Sequence, residues 1–371
     1  MSMKRKWKKA LAISAALIGA VGVTGGVAGF TAYEMGWGPF APLQADMTID
    51  AAMRTAVIEG AIANIEQYYV FADKAPGIAK RLRAMLQQGD FDSITSAEKL
   101  AATLSDILQQ DSGDAHFALR YFEKPIAQLP PGEDQTAQEK AEEASNQKRL
   151  NYGVRTVQRL KSNIVYLDLH AFGRPRPSAA KIAGTMAVLS DTRALIIDLR
   201  ECGGGDPETV MLLANYLFDA PTHLNDIQWR EGNRIEQRWT QPRVASPGYG
   251  STRKLYVLTG EETFLACEDF AYALKSNRRA TIVGTPTQGG GAHPGQPRRI
   301  NAHFMIFVPT GRAINPVTHN NWQATGVLPD LPSSEDRALN VAQIEINKIV
   351  MATDPDPRAR QAAKDQISEL D

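Results

Sequence analysis

The sequence has few of the residues from which disulfide frameworks and metal sites are built. Only two cysteines, Cys202 and Cys267, occur in 371 residues, so the fold depends on its core and not on a network of disulfides. No CxxC or HExxH pattern is present, and the six histidines are scattered along the chain. This argues against a metal site, and we expect no metal and no other cofactor.

The chain also lacks an excess of either charge, because 41 basic residues balance 41 acidic ones. The distribution is uneven, however. Five bases lie within residues 1–9, which carry no acid, and the rest of the chain has 36 bases against 41 acids, a net charge of −5. A mildly acidic body of this kind argues against a nucleic-acid partner.

An uncharged stretch, Ala10–Ala32, follows the basic start. As a helix it is long enough to span the roughly 30 Å hydrocarbon core of a bilayer. The flanking bases place the N-terminus in the cytoplasm and the rest of the chain across the membrane. A GVAG sequence at Gly26–Gly29 would suit cleavage of a signal peptide, but the stretch exceeds the usual signal core of about 7–15 residues. The length favours an anchor over a secreted form, and both place the protein outside the cytoplasm.

The next block of the sequence predicts three helices between Ile49 and Gln110. Apolar residues recur at helical spacing in TIDAAMRTAVIEGAIANIEQYYVF and in the two segments that follow, and Thr95 and Glu98 have the spacing of a capping box. We therefore expect a helical bundle over residues 41–123, after a signal-anchor or signal peptide over residues 1–40. A proline-bearing and then charged stretch over residues 124–151 predicts a linker or a solvated helix.

From Tyr152 the pattern alternates between strands and helices. NIVYLDL, ALIIDLR, KLYVLTG and HFMIFVP predict strands, IQWREGNRIEQRW predicts a hairpin, and DPETVMLLANYLF predicts a helix capped by Asp206. This alternation predicts a layered α/β domain over residues 152–345, followed by a C-terminal helical tail over residues 346–371. Loops at the strand ends of such a domain form its functional site.

Several segments draw attention for their chemistry. Gly203–Gly205 lie between a strand and a helix N-terminus, where backbone N–H groups can bind an oxyanion, although a tight turn without a ligand is an equal alternative. His116 follows the third helix in SGDAHFAL, and a lone histidine is more often a surface or packed residue. The segment VPTGRAINPVTHNNWQATGVLPD predicts a structured loop. In GEETFLACEDFAYALK, the turn where an α/β hydrolase would present its nucleophile contains no serine.

Together and in this order, these motifs resemble the tail-specific (C-terminal processing) serine peptidase family, especially the branch near interphotoreceptor retinoid-binding protein and tricorn protease. That branch shows a helical bundle, a GD-x-H histidine, DLR-x-N-GGG, TFSAAEEFAY-L with ATIVGE-T-GGGAHP, and finally RAINP-T with NWEG-GV-PD. The resemblance runs from about Ile49 to Leu331, without the PDZ module of many relatives. It implies a crotonase-like stack of ββα units, which agrees with the alternation described above.

The resemblance also implies a role for individual residues. In this branch a serine attacks the peptide carbonyl, a histidine accepts its proton, and a glutamate orients that histidine. The histidine corresponds to His116, the serine position to Leu265 and the glutamate position to Gln323. The implied oxyanion donors are the amides of Gly203, Gly204, Gly205 and Ala266, with Gly204 favoured among the glycines. Leucine cannot act as a nucleophile, and glutamine can orient an imidazole but carries no charge.

By the same resemblance, the two cysteines lie on opposite walls of the oxyanion pocket. Cys202 belongs to the glycine loop, and Cys267 lies two residues past Leu265. A disulfide and a pair of unpaired buried thiols both fit this arrangement. Neither Cys267 nor Thr263 is expected to replace the serine, because two residues along a helix turn a side chain about 200° away.

The sequence therefore predicts a membrane-tethered, extracytoplasmic homologue of serine peptidases whose catalysis is impaired or lost. Its cleft would bind peptides or protein C-terminal tails, or it would regulate an active partner. An active peptidase with an unidentified nucleophile and an apolar-ligand binder are the alternatives. The sequence does not predict an oligomeric state.

Overall fold

The computed structural model describes residues 44–114, 116–126, 137–189, 191–241, 248–290 and 293–371. The predicted membrane segment at Ala10–Ala32 lies outside these ranges. Among the helices within them, none has both the length and the apolar character needed to cross a bilayer.

Three helices come first, and strands and helices are interspersed in the part of the chain after Tyr152, where the sequence predicts a mixture of both. The helices are α1 (Ala51–Tyr68), α2 (Ala75–Gln88), α3 (Ala97–Ser112), α4 (Ala137–Arg149), α5 (Pro175–Val188), α6 (Pro207–Ala214), α7 (Ala266–Ser276), α8 (Glu335–Thr353) and α9 (Pro357–Leu370). The strands are β1 (Ala118–Tyr121), β2 (Val154–Leu160), β3 (Ile164–Leu169), β4 (Ala194–Asp198), β5 (His223–Trp229), β6 (Ile235–Trp239), β7 (Lys254–Thr259), β8 (Thr281–Gly284), β9 (Gly295–Arg299), β10 (Phe304–Pro309), β11 (Gly311–Ile314) and β12 (Leu331–Pro332).

The N-terminal helices α1, α2 and α3 pack around their own apolar core. Asp50 caps α1 by accepting a hydrogen bond from the Met53 amide, and α2 ends at Gly89 in the left-handed conformation. The cap of α3 differs from the prediction, because Ser96 and not Thr95 accepts the hydrogen bond from the Lys99 amide. The carbonyl of Thr95 instead accepts from the amide of Ile49.

A six-stranded sheet forms the centre of the second part of the chain, in the order β12-β8-β7-β4-β3-β2. All neighbouring strands are parallel except the pair β2–β3. Alternate residues of each strand face opposite sides of the sheet. On β4, Leu195 and Ile197 pack under α5, α6 and α7, whereas Ala194 and Ile196 pack against α8 and α9. Both faces are therefore covered, as parallel sheets require.

Two smaller sheets complete the fold, with the orders β1-β10-β9 and β11-β5-β6. In the first, β1 pairs with β10, so Phe304, Ile306 and Val308 of β10 complete the core of the N-terminal helices. In the second, β5 and β6 form the predicted hairpin around Glu231–Asn233. The predicted α/β fold with preceding helices is confirmed.

The structure adds detail at the predicted domain boundaries. The proposed linker over residues 124–151 contains α4, which is docked by an ion pair between the buried Glu143 and Arg174. The proposed boundary between residues 345 and 346 falls inside α8. Helix α6 starts as predicted, with Asp206 as its cap and Pro207 at its first position, but ends at Ala214 and does not continue to Phe218.

Candidate functional site

Parallel strands β4, β7 and β8 end at the same edge of the central sheet, and their following loops meet there. The loop after β7 turns sharply into α7 at Leu265, which is half-buried. Leu265 has φ 50° and ψ −120°, a backbone conformation that residues other than glycine rarely adopt. Such backbone strain costs about 1–3 kcal/mol and is concentrated at functional sites. The turn therefore has the backbone form of a nucleophile elbow, and the residue at its apex is Leu265.

The elbow is held by Glu268, a fully buried carboxylate on the first turn of α7. One oxygen accepts hydrogen bonds from Thr287 Oγ1 at 2.6 Å and the Gly289 amide at 2.7 Å. The other accepts from the amides of Gly290 and Leu265, each at 3.1 Å. Burial raises the pKa of Glu268 to about 7, although all four hydrogen bonds oppose that rise. One side chain thus fixes the elbow against the loop that follows β8.

The glycine loop after β4 forms the opposite wall. Gly204 and Gly205 have φ of 122° and 131°, and a Cβ at Gly205 would lie 2.1 Å from the carbonyl oxygen of Phe172. These backbone demands account for the glycines. The Gly203 amide donates to the His170 carbonyl, and the Gly204 amide donates to Cys267 Sγ at 3.1 Å. Two of the amides expected to bind an oxyanion are therefore engaged within the protein.

A disulfide joins the two walls. Cys202 and Cys267 are bonded, with their Cα atoms 6.1 Å apart, and both are fully buried. Of the two arrangements compatible with the sequence, the structure has the bridge. Cys267 is therefore not a free thiol. Thr263 is also buried, and its hydroxyl donates to the Leu199 carbonyl and accepts from the Gly260 amide, so it does not face the cleft.

The Ala266 amide is the remaining expected donor on the elbow side. Ala266 is the first residue of α7, so its N–H has no acceptor within the helix and lies at the positive end of the helix dipole. Ala266 is 9% exposed. This amide can donate to an anionic group at the elbow.

His116 is oriented by a carboxylate that the motif analysis did not single out. His116 Nδ1 lies 2.7 Å from Asp114 Oδ1, and His293 Nδ1 lies 2.6 Å from Asp114 Oδ2. All three side chains are at least 90% buried. Burial alone would raise the pKa of Asp114, but the hydrogen bonds from both imidazoles outweigh it and hold that pKa well below its usual value. Asp114 thus fixes the orientation of the His116 ring by a buried hydrogen bond.

Gln323 lies on the loop that follows β11. Its neighbours fasten this loop to the glycines after β8, because Trp322 Nε1 donates to the Gly290 carbonyl and the Ala324 amide donates to that of Gly289. The Gln323 amide donates to Asn321 Oδ1. Within the described ranges, the side-chain oxygen of Gln323 is buried without a hydrogen-bond partner.

The fold thus brings the predicted elbow, the glycine loop and the segment of Gln323 to one edge of the sheet. Three functional candidates were missed: Asp114, Glu268 and His293. Each lies inside a motif that was recognised, since Asp114 belongs to GD-x-H, Glu268 follows the elbow and His293 ends GGGAHP. Their presence in those motifs was the available signal.

Comparison with known proteins agrees with this geometry. The model of peptidase family S41 matches residues 163–333. A second model, the N-terminal domain of Peptidase S41 in eukaryotic IRBP, matches residues 47–160. Together they match more than half of the chain. The protein belongs to peptidase family S41, and the expected resemblance is confirmed.

Individual relatives are distant. The chain is 26% identical over 174 residues to carboxyl-terminal-processing peptidase 2, chloroplastic, of Arabidopsis thaliana, which is 46% of this chain and only 32% of that protein. Mature CPAF, solved with lactacystin, is similar with a TM-score of 0.53 and 13% identity, over 85% of this chain and 99% of that one. The photosystem II D1 C-terminal processing protease has a TM-score of 0.50 and 13% identity, over 78% and 94% of the two chains. These structural likenesses establish the fold.

Proposed function

We propose that this protein is a catalytically impaired S41 peptidase homologue that retains a cleft for peptides or protein C-terminal tails. The observation that carries the proposal is Leu265, which occupies the strained elbow of α7. A hydrocarbon side chain cannot attack a carbonyl, and a site without its nucleophile keeps only the weak rate that binding supplies.

The glycine loop supports the same conclusion. The favoured oxyanion donor, the Gly204 amide, is directed to Cys267 Sγ, and the disulfide ties this wall to the elbow. Oxyanion donors act by being preorganised toward the developing charge, so an amide already engaged by sulfur contributes little. The family pattern has asparagine and alanine where this chain has Cys202 and Cys267. Together these two cysteines form one disulfide, which stiffens the cleft.

The buried hydrogen bonds that hold the walls of the cleft in place support the retention of a binding function. Glu268, Asp114 and the segment of Trp322 connect elements far apart in sequence by buried hydrogen bonds. The Arabidopsis relative is named a carboxyl-terminal-processing peptidase, which favours protein tails as the ligand class. Regulation of an active peptidase that shares those substrates is the corresponding biological role.

The location outside the cytoplasm belongs to the same proposal. It depends on the basic residues at positions 4–9 and the uncharged Ala10–Ala32. Five bases on one flank orient such a segment with the N-terminus inside, which leaves residues after it on the outer side. An oxidising compartment there is compatible with the Cys202–Cys267 disulfide.

The test measures hydrolysis and binding in parallel. The full-length protein in detergent is incubated with a quenched-fluorescence peptide library, and binding of dye-labelled peptides with free C-termini is followed by anisotropy. We expect background hydrolysis and saturable binding. Leu265→Glu should abolish binding by placing a charge at the elbow, whereas Val188→Glu, at the 71% exposed end of α5, should not. Turnover that survives Cys267→Ala but is lost in His116→Ala would show a nucleophile elsewhere and overturn the proposal.

A further inference from the structure

Sheet topology brings two histidines and an aspartate together from opposite ends of the sequence. Strands β1 and β9 both pair antiparallel with β10, so they run parallel to each other and start at the same edge. Asp114 and His116 lie just before β1, and His293 lies just before β9. The separation of 179 residues between Asp114 and His293 is thereby closed to hydrogen-bond distance.

The side chains of Asp114, His116 and His293 point toward one another. Asp114 Oδ1 lies 2.7 Å from His116 Nδ1, and Asp114 Oδ2 lies 2.6 Å from His293 Nδ1. One ligand atom from each residue lies within 4.8 Å of the others. The side chains of Asp114, His116 and His293 are 2%, 10% and 7% exposed. A buried trio of this kind already has the desolvation that a bound ion requires of its ligands.

The surroundings hold the trio in place. The Asp114 amide donates to Ser112 Oγ, which donates to the Leu108 carbonyl in the last turn of α3. The His293 ring packs edge-on against Phe71 with 5.1 Å between centroids. Preorganised ligands lose less freedom when they bind an ion, which favours binding over a flexible surface cluster.

We propose that Asp114, His116 and His293 form a binding site for a divalent transition-metal ion of the Zn²⁺ class. The ion would take Nδ1 of each imidazole, in the neutral tautomer that carries its proton on Nε2, and one carboxylate oxygen of Asp114. Metal ligands of this kind must be deprotonated, and binding releases their protons. Zn²⁺ binds nitrogen and oxygen donors of this kind at about 2.0–2.2 Å, and one ligand atom from each residue already lies within 4.8 Å of the others.

The donor set selects the class of ion. Two imidazole nitrogens and one carboxylate oxygen suit Zn²⁺, Co²⁺, Ni²⁺ or Cu²⁺, whereas Mg²⁺ and Ca²⁺ prefer oxygen ligands alone. Three protein ligands leave one position of a tetrahedral ion for water. The proposal is independent of whether the protein binds peptides, because it rests only on these three side chains.

The test is metal binding to the untagged, metal-free full-length protein in detergent. Titration with Zn²⁺ in a calorimeter, and with Co²⁺ followed by its visible spectrum, should show one equivalent bound. Affinity should fall as the pH is lowered, because protons compete for the ligands. Mg²⁺ and Ca²⁺ should not compete.

Variants separate this site from adventitious binding. His293→Ala and the isosteric Asp114→Asn should each weaken Zn²⁺ binding by at least about tenfold. His303→Ala, whose ring contacts the Phe122 carbonyl outside the trio, should leave it unchanged. Circular dichroism checks that each variant is folded, and Asp114→Asn retains the size of the native side chain. Equal affinity in wild type and Asp114→Asn, or equal loss in His303→Ala, would overturn the proposal and leave the trio as a hydrogen-bonded network.

Discussion

The buried carboxylate of Glu268 makes the stability of the protein depend on pH in a defined window. Burial raises its pKa in the folded state to about 7, from an ordinary value of 4.5. Between these values the folded state keeps a proton that the unfolded state releases, so raising the pH favours unfolding. The stabilisation is complete below about pH 4.5 and is lost as the pH rises through 7. This difference between the folded and unfolded pKa corresponds to a change of about 3 kcal/mol in the free energy of unfolding.

The assay is urea unfolding followed by tryptophan fluorescence, since the buried Trp322 donates to the Gly290 carbonyl beside Glu268. Wild type and Glu268→Gln are compared at about pH 5 and pH 8. The decrease in unfolding free energy between these values should be about 2.5 kcal/mol larger in wild type than in the variant, because the unfolded carboxyl is already mostly ionised at pH 5. Glu261→Gln, an exposed neighbour, is the matched control and should behave as wild type. The same pH dependence in wild type and Glu268→Gln would refute the assignment, because other titrating groups are common to both.

Three further outcomes are expected. Alkylation of the denatured protein without reductant should label neither cysteine, and two labelled thiols before reduction would exclude the disulfide. Reduction should lower the unfolding free energy by about 4 kcal/mol, because the cysteines are separated by 65 residues in the sequence. Full-length protein should stay in the membrane fraction after carbonate washing and retain Met1, whereas a soluble form starting near residue 30 would identify a cleaved signal peptide. The last test starts from the double variant Leu265→Ser/Gln323→Glu. Adding Cys202→Asn and Cys267→Ala should increase its peptide hydrolysis, because the Gly204 amide no longer donates to sulfur. A decrease in hydrolysis would show that the disulfide supports the site.

Sequence patterns predicted the central sheet well because burial on both faces leaves a simple signal. The runs that became β3, β4 and β7 are mostly apolar, and their buried apolar residues alternate between two separate cores. The Asp206-Pro207 start of α6 was also predicted, because capping and first-turn proline are local properties. Local rules failed where two adjacent residues had the same chemistry. Thr95 and Ser96 can both cap a helix, and in the structure Ser96 caps α3.

The sequence placed the candidate residues in their loops but did not predict the contacts between them. Leu265 lies at the turn between β7 and α7 and the glycines lie between β4 and α6, as the motif order indicated, whereas their catalytic roles stay predictions. The contact between Asp114 and His293 depends on the pairing of β1 and β9 with β10, which no local pattern specifies. The hydrogen bond of the Gly204 amide likewise depends on Cys267, which lies 63 residues away in the sequence. Long-range pairing, not residue type, determines these features.

We propose that the elbow has lost its nucleophile while the surrounding framework persists. Labelling with a fluorophosphonate probe tests this proposal most directly, because the probe reacts readily with an activated serine. We expect no labelling of the wild type, labelling with some peptide hydrolysis in Leu265→Ser/Gln323→Glu, and loss of both when His116→Ala is added. Labelling of the wild type, or a folded double variant that neither reacts nor hydrolyses peptides, would refute this proposal.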